Sequence, residues 1–344
     1  MSNKRIVADN QFALKRTSHR VPCVRFLVPA LFGWAMLAPD ASHAQAYPSH
    51  PVRLIVPYVA GGPVDSIARL LVPRLVESWG QQVVIDNRGG ANGIVGTEVA
   101  AHAAPDGYTL ALISAAFAIN ATLYPKLPFD TARDFTAATM IATGPGMLVT
   151  HPALPVRNLK ELIALAKSKP GALSYGSAGA GAPTSHLGME LLKTTAGIDI
   201  VHVPYKSMAP ALIDMLGGQI QMGMPTINVI LPHLRSGRLR AIGVSSLQRS
   251  PTAPEVPTLA EAGMPGYEAI NWFAIIGPKG IPAAIIEKIH TGAAEALRSQ
   301  DFRDRLAAAG TEPRSMPPAE LARYITTEIA KWGKAVKASG ARPE

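Results

Sequence analysis

The chain has 344 residues, 48% of them hydrophobic and 17% charged, with a formal charge of +9; that length suits two domains or one large α/β unit. With 30 Gly, 30 Pro and 6% aromatic residues, the composition excludes collagen, a disulfide-rich miniprotein and an acidic disordered chain. A single Cys excludes disulfides within the chain and any Cys-based zinc or iron–sulfur site.

In chain order, a targeting segment comes first. Lys4, Arg5, Lys15, Arg16 and Arg20 are basic, Phe26 to about Pro39 is an apolar run, and Ala44-Gln45-Ala46 is a small-x-small site before Tyr47. This is the pattern of a cleaved secretory signal. The run is shorter than the ~20 apolar residues of a membrane span. No Arg-Arg pair marks the twin-Arg route, and Cys23 precedes the run, where a lipid-modified Cys would follow it. Cleavage after Ala46 leaves a cysteine-free exported chain, suited to a bacterial periplasm where thiols oxidise. It also lowers the net charge to +5. The remaining basic residues are scattered without interleaved aromatics, so no nucleic-acid partner is expected. No later stretch approaches about 18 unbroken apolar residues, so the mature chain is expected to be soluble.

Strand and helix patterns then alternate. Arg53–Pro57 predicts a strand, Asp65–Trp79 a helix on the spacing of Ile67, Leu70, Leu71, Leu75 and Trp79, Gln82–Asp86 a strand, Gly93–Ala103 a helix and Thr109–Ser114 a strand. This βαβαβ order predicts a parallel sheet with helices on both faces, and Pro73 should kink or shorten the first helix. After Met147–His151 the pattern restarts. Asn158 and Glu161 form a capping box for a helix over Leu159–Lys169. Leu173–Ser177, Ile200–Pro204, Gln219–Met224 and Leu239–Ser245 predict strands, with helices at Ser185–Ala196 and Ala209–Leu216 between them. Thr258 and Glu261 form a second capping box, and Glu268–Ile276 a strand leading back out. Pro282–Arg298, Phe302–Ala309 and Pro318–Ser339 predict helices. The expected division is a signal peptide at 1–46, lobe 1 at 47–148 and 273–344, and lobe 2 at 149–272, with the last helix able to pack across to lobe 2. Ligands in such sheets sit at the carboxyl ends of strands, and a cleft between two lobes closes by hinge motion.

Pro57–Asp65 joins the first strand to the first helix through Gly61-Gly62-Pro63. Two readings stand: an anion cradle in which Gly61, Gly62, Val64 and Asp65 supply amides, or an ordinary Gly-rich turn with Asp65 as a cap. Ser174–His186 is a second strand-to-helix loop of small residues. Tyr175 replaces the first Gly of a hydrolase elbow, no Lys supplies a P-loop, and Thr184 stands where a dinucleotide fingerprint needs Gly. A second polar cradle remains, with His186 in a structural role. His151, His202 and His233 lack metal-site spacing, so no metal is expected. No carboxylate pair suits acid–base work. Tyr205-Lys206-Ser207 either presents a side chain to a cleft or is a surface turn. Tyr58–Asp65 and Ser174–His186 hold no Lys or Arg, so backbone amides are expected to make the primary contact to an anion, with Lys206 the nearby cation for a second carboxylate. Asp65 is expected to turn back toward its own loop.

Several segments in order resemble one family. They are Tyr47–Pro57, Gly61–Asp65, Asp86-Asn87-Arg88, Pro105–Leu110, His202–Lys206, Pro210-Ala211, Asp214–Gln219, Gly237–Arg240, Pro257–Gly263 and Trp272-Phe273. Together they resemble the Bug-type extracytoplasmic solute receptors, which include the substrate-binding subunits of tripartite tricarboxylate transporters. The resemblance implies an α/β, bilobal type II periplasmic-binding-protein fold, its two α/β domains joined by crossover strands. It implies a small carboxylate as ligand, held by the loop from Tyr58 to Asp65 and by Ser177, Ala178, Gly181, Ala182 and Thr184 of the facing loop. Ser114 and Ala115 should line one wall, and Ser207 and Thr226 the other. It implies membrane transporter subunits as partners, a monomer, no cofactor and no catalytic residue. A ligand-sensing adaptor for a membrane kinase and a secreted hydrolase using Ser177 and His186 are the alternatives. Ser207 replaces the usual Gly after Tyr-Lys, Gly89-Gly90 the usual Pro-Gly, and Ala182 sits where Ser or Thr is common.

Overall fold

The computed structural model describes residues 47–179 and 181–343. The expected signal at 1–46, with Cys23 and the cleavage residue Ala46, lies outside the described residues, as does Ala180 of the second loop.

The first sheet contains β1 (Val52–Val56), β2 (Val83–Asn87), β3 (Thr109–Ser114), β4 (Phe135–Pro145), β10 (Ile270–Pro278) and β11 (Glu312–Met316), in the order β11-β4-β10-β3-β1-β2. The second contains β5 (Met147–Thr150), β6 (Ser174–Ser177), β7 (Val201–Pro204), β8 (Met222–Gly223) and β9 (Arg240–Val244), in the order β7-β6-β8-β5-β9. The two sheets make the fold bilobal. Ten α-helices flank them among the described residues: α1 (Pro63–Trp79), α2 (Ile94–Ala101), α3 (Ala116–Leu123), α4 (Leu159–Ser168), α5 (Met189–Ala196), α6 (Met208–Leu216), α7 (Ile227–Arg235), α8 (Ala283–Ala296), α9 (Gln300–Ala308) and α10 (Pro318–Ser339).

The expected parallel order holds for β2-β1-β3, where Leu54 faces Ile85 and Leu110. The sheet as a whole is mixed, because β10 runs antiparallel to β3 and β4: the chain re-enters from the second lobe in the opposite direction. α1 buries Ile67, Leu71 and Leu75 on one face, and Gly80 at φ 66° ends it. Pro73 lies inside α1 and does not break it. It sits on the exposed face, where solvent can satisfy the carbonyl it leaves unbonded.

Three further expectations change. The Thr258–Glu261 box forms, with both reciprocal bonds at 3.0 Å, but a turn follows it. Gly263 at φ 123° and Gly266 at φ 76°, with Pro265 between them, prevent propagation. The helix expected from Ser185 begins as a π-helical turn at Pro183–Gly188 before α5. Finally, α3, β4, α7 and β11 have no counterpart among the predicted elements.

The lobes join where β4 runs into β5 through Gly146. Gly146 N–H donates to Ser245 Oγ at 2.9 Å, and the N–H groups of Ser245 and Ala269 donate to Gly146 O and Ser245 O, each at 2.9 Å. Sheet membership therefore changes at Gly146 and near Ala269. Trp272 on β10 and Trp332 on α10, both fully buried, pack in the core that joins β4, α3 and α10.

Gly96 fixes α2 against the end of β1. A Cβ there would lie 2.6 Å from Arg88 O and 2.7 Å from Pro57 Cα, so backbone on both sides must move. Gly96→Ala is expected to destabilise by about 1–3 kcal/mol, read as a lower urea midpoint at unchanged slope.

Candidate functional site

The carboxyl ends of β1, β2 and β3 lie side by side in one lobe, and those of β6, β7 and β8 in the other. The predicted residues follow these ends. In the first lobe the structure brings Tyr58 and Ser114 together, with Oη 2.8 Å from Oγ. Burial raises the Tyr58 phenol above its ordinary range, and the bond to Ser114 offsets only part of this. A Cβ on Gly93 would meet the Tyr58 ring at 3.1 Å, so the turn before α2 closes over the phenol.

Asp65 turns back into its own loop. Its Oδ2 accepts from Gly61 N–H and from Arg69 Nε, each at 2.8 Å, and its Oδ1 from Asn87 Nδ2 at 3.0 Å. Burial alone would raise this carboxyl, but the bonds from Arg69, Gly61 and Asn87 together hold it below its ordinary value. One expectation is corrected here: the Gly61 N–H is committed to Asp65 and is not available to a ligand. Gly62 is the N-cap and its N–H makes a long 3.3 Å turn bond to Val59 O. Val64 and Asp65, in the first turn after Pro63, keep N–H groups with no intrahelical acceptor. Those two amides and the helix dipole are what the cradle offers an anion.

Ala115 presents no amide either, since its N–H donates to Asn271 Oδ1 at 3.2 Å. Asn271 belongs to crossover strand β10 and was missed in the sequence. Its only sequence signal is its place before the Trp272-Phe273 motif.

The second loop is also more self-contained than expected. Ala178 N–H donates to Ser185 Oγ at 3.1 Å, Gly181 N–H to His186 Nδ1 at 3.0 Å, and Ala182 N–H to Gly179 O at 3.4 Å. These three amides close on the loop's own side chains and backbone, so the loop is a preformed wall rather than an empty nest. A Cβ at Gly181 would lie 3.1 Å from Leu123 Cδ2 of α3, which sets this loop against the first lobe. Thr184 is buried, with its Cβ 3.2 Å from where a Cβ on Gly146 would sit.

Ser177 pairs with His202, not with His186: Oγ lies 2.7 Å from His202 Nε2. Ser177 is fully buried, and its partner is not the His186 named in the hydrolase alternative. Tyr205 commits its hydroxyl to Asp214 at 2.7 Å. Lys206 and Ser207 after it are exposed, and among the described residues Lys206 makes no ion pair. Thr226 is half-buried at the start of α7 and bridges to Gly146. Among the described residues no group of three or more His, Cys, Asp or Glu could hold a metal ion, and no helix is long and apolar enough to cross a membrane.

Two α/β lobes, joined by crossing strands and presenting loops at facing strand ends, define a solute-binding receptor of the periplasmic-binding type. Residues 67–341 match the TctC family, the tripartite tricarboxylate transporter family receptor. The chain belongs to that family and is a Bug-type receptor. It is 38% identical over 301 residues to the protein BugT of Bordetella pertussis, covering 87% of this chain and 92% of that one. Among solved structures it resembles R. palustris Rpa4515 with adipate, at 36% identity and TM-score 0.68, covering 87% of this chain and all of the other, 100%. It also resembles MatC from Rhodopseudomonas palustris with bound malate, at 31% identity and TM-score 0.65, covering 84% of this chain and 100% of that one.

Proposed function

We propose that the protein captures a small dicarboxylate between its lobes and hands it to the membrane subunits of a tripartite tricarboxylate-type transporter. It does so as a periplasmic monomer, exported by a signal cleaved after Ala46, and catalyses no reaction. The lobes in this reading are 47–148 with 273–344, and 149–272. One feature carries the ligand class: the first turn of α1 offers the N–H groups of Val64 and Asp65, which have no intrahelical acceptor, beside the Tyr58–Ser114 hydroxyl pair, in a loop without a cation. The adipate and malate bound by the two similar receptors support the same chemistry. One carboxylate sits on this turn, and the loop from Ser177 to Thr184 forms the opposite wall with Ser207 and Thr226. Lys206 reaches the second carboxylate.

A thermal-shift screen of the mature chain against adipate, malate, tricarboxylates, aromatic acids and amino acids tests this. A true ligand at 100 times its Kd adds about 2.7 kcal/mol of stability. Gly62 has ordinary backbone angles, φ −77° and ψ 173°, and a Cβ there meets only Val59 O, at 3.3 Å. Gly62→Val should therefore fold yet lose binding, because its branched side chain stands where the ligand must approach the amides. Lys206→Ala should weaken binding by about 1.5–3 kcal/mol, the worth of one charged hydrogen bond. Full binding by Gly62→Val with none by Lys206→Ala would place recognition on the side-chain cation instead.

A further inference from the structure

Behind the loop that forms the second-lobe wall lies a buried polar stack that solute binding does not by itself explain. His186 and His202 stack face to face, with ring centroids 4.2 Å apart and planes at 15°. His202 stacks in turn on Tyr175, at 4.9 Å and 20°. The Tyr175 hydroxyl donates to Glu190 Oε1 at 2.6 Å, and Lys193 Nζ reaches the same oxygen at 2.8 Å. At the other end of the stack, His202 Nε2 holds Ser177 Oγ and His186 Nδ1 holds the Gly181 N–H. His186, Ser177 and Glu190 are each at most 6% exposed.

We propose that His186 and His202 are positioning residues: a stacked imidazole pair that holds Ser177 and Gly181 of the second loop in place for the ligand and releases Gly181 when His186 takes up a proton. This rests on the reading above that the loop faces the ligand. The chemistry follows from one unambiguous bond. A backbone N–H can only donate, so His186 Nδ1 must carry a lone pair. A proton on that nitrogen sets N–H against N–H and expels the Gly181 amide. Gly181 itself lies at φ 78°, a conformation held by that contact on one side and by the Gly179–Ala182 bond on the other. A loop fixed in advance binds with less ordering entropy to lose, so releasing it weakens binding.

Burial holds His202 below the ordinary imidazole range; Glu190 opposes this and Lys193 adds to it. The other elements against the π-helical turn bring further polar groups, among them Tyr324 on α10, whose buried hydroxyl has no hydrogen-bond partner among the described residues. Tyr267, before β10, donates to Gly188 O at 2.8 Å. On α10, Glu328 accepts from the Trp272 and Trp332 indoles and pairs with Lys331. The sign follows from the bond itself: the Gly181 N–H needs the lone pair of a neutral His186 ring, so the contact is present at the alkaline end and is given up as that ring takes a proton in acid.

The test titrates adipate by calorimetry into wild type, His186→Leu and His186→Asn between about pH 8 and about pH 5. Asn places an oxygen near the Nδ1 position, accepts the Gly181 N–H and does not titrate in this range. The expected result is a loss of about tenfold or more for Leu and recovery to within about threefold of wild type for Asn at the alkaline end. The ligand's own titration is common to all three proteins, so the wild-type Kd should rise relative to that of His186→Asn in acid, by up to about tenfold per pH unit for one proton. Equal weakness of Leu and Asn, a flat ratio, or wild type tightening in acid relative to Asn overturns the proposal. If adipate binds none of the proteins, the ligand reading fails separately, and the ligand-free protein decides the positioning role. A long-range proton–nitrogen correlation spectrum should show His186 with its proton on Nε2 at neutral pH, and the Gly181 amide moving with the His186 titration. A proton on Nδ1, or a Gly181 amide indifferent to pH, overturns it.

Discussion

Glu328→Ala is expected to destabilise the protein by about 3–5 kcal/mol, the range for breaking a buried charge pair from one side. Glu328 is 1% exposed, and its Oε2 accepts from Trp272 Nε1 at 2.9 Å and Trp332 Nε1 at 2.7 Å. Its other oxygen pairs with Lys331, whose side chain is itself only 19% exposed. Alanine leaves two buried indole N–H groups without an acceptor, each worth about 1–3 kcal/mol of desolvation, and takes from the Lys331 ammonium its paired carboxylate, with only the Glu268 charge left nearby. Trp272 belongs to crossover strand β10 and Trp332 to the last helix, so the carboxylate ties the helix to the strand that returns from the second lobe. Urea unfolding at constant slope measures the loss. Glu328→Gln keeps an acceptor for the indoles and should fall between wild type and Ala. Glu328→Leu combined with Lys331→Met removes both charges and should recover part of the loss. A change below about 1 kcal/mol for Glu328→Ala would show that the indoles find other acceptors.

Most of the fold was legible because local pattern and tertiary role agree. Thr109–Ser114 and Pro318–Ser339 have the predicted bounds, one as a continuous apolar strand and the other as a long amphipathic helix. The Asn158–Glu161 box caps α4 as its spacing requires, with Glu161 N–H on Asn158 Oδ1 at 2.9 Å. The misses have a common cause. β4, Phe135–Pro145, carries three Ala, a Gly and a Pro, which have little strand propensity, and no regular polar–apolar alternation. It is a strand because β10 and β11 pair with its two edges, a partnership between residues more than 100 apart in sequence. β11, Glu312–Met316, contains Pro313 and Arg314 and is stable only as an edge to β4. The same limit applies to the site. The loops and their absence of cations are local features and could be read. That Gly61 answers to Asp65, Ala115 to Asn271 and Ser177 to His202 could not, because the partner of Ala115 arrives on a strand 156 residues away, that of Ser177 depends on the register of β6 with β7, and which acceptor wins a glycine-loop N–H is decided by three-dimensional geometry.

Asp65→Ala is expected to have the largest effect on ligand capture. The carboxylate touches no ligand in the reading proposed, yet it fixes the loop that does. It holds Gly61 at φ 81° through the N–H bond and draws Asn87, at the end of β2, onto the same loop. Asn87 also reaches Tyr58 O at 3.3 Å, so the carboxylate, the amide and the phenol that pairs with Ser114 form one connected unit. Without Asp65 the glycines lose their restraint, and the amides of Val64 and the following residue no longer meet a preformed loop. A loss of about 100-fold in affinity, equivalent to about 2.7 kcal/mol, is the expected scale. Arg69→Ala is the control. Its side chain is 59% exposed, and the Gly61 and Asn87 bonds still hold the Asp65 carboxylate in its absence, so affinity should change by less than about fivefold. Acid adds a second check. A carboxyl held below its ordinary value contributes stability that is fully present above the unfolded-state range and is lost as pH falls through the lowered folded value. The stability gap between wild type and Asp65→Asn should therefore be widest near neutrality and narrow below about pH 4. If Arg69→Ala weakens ligand as strongly as Asp65→Ala, the ion pair rather than the Gly61 contact orders the loop; if neither does, the cradle at the start of α1 is not where the carboxylate binds.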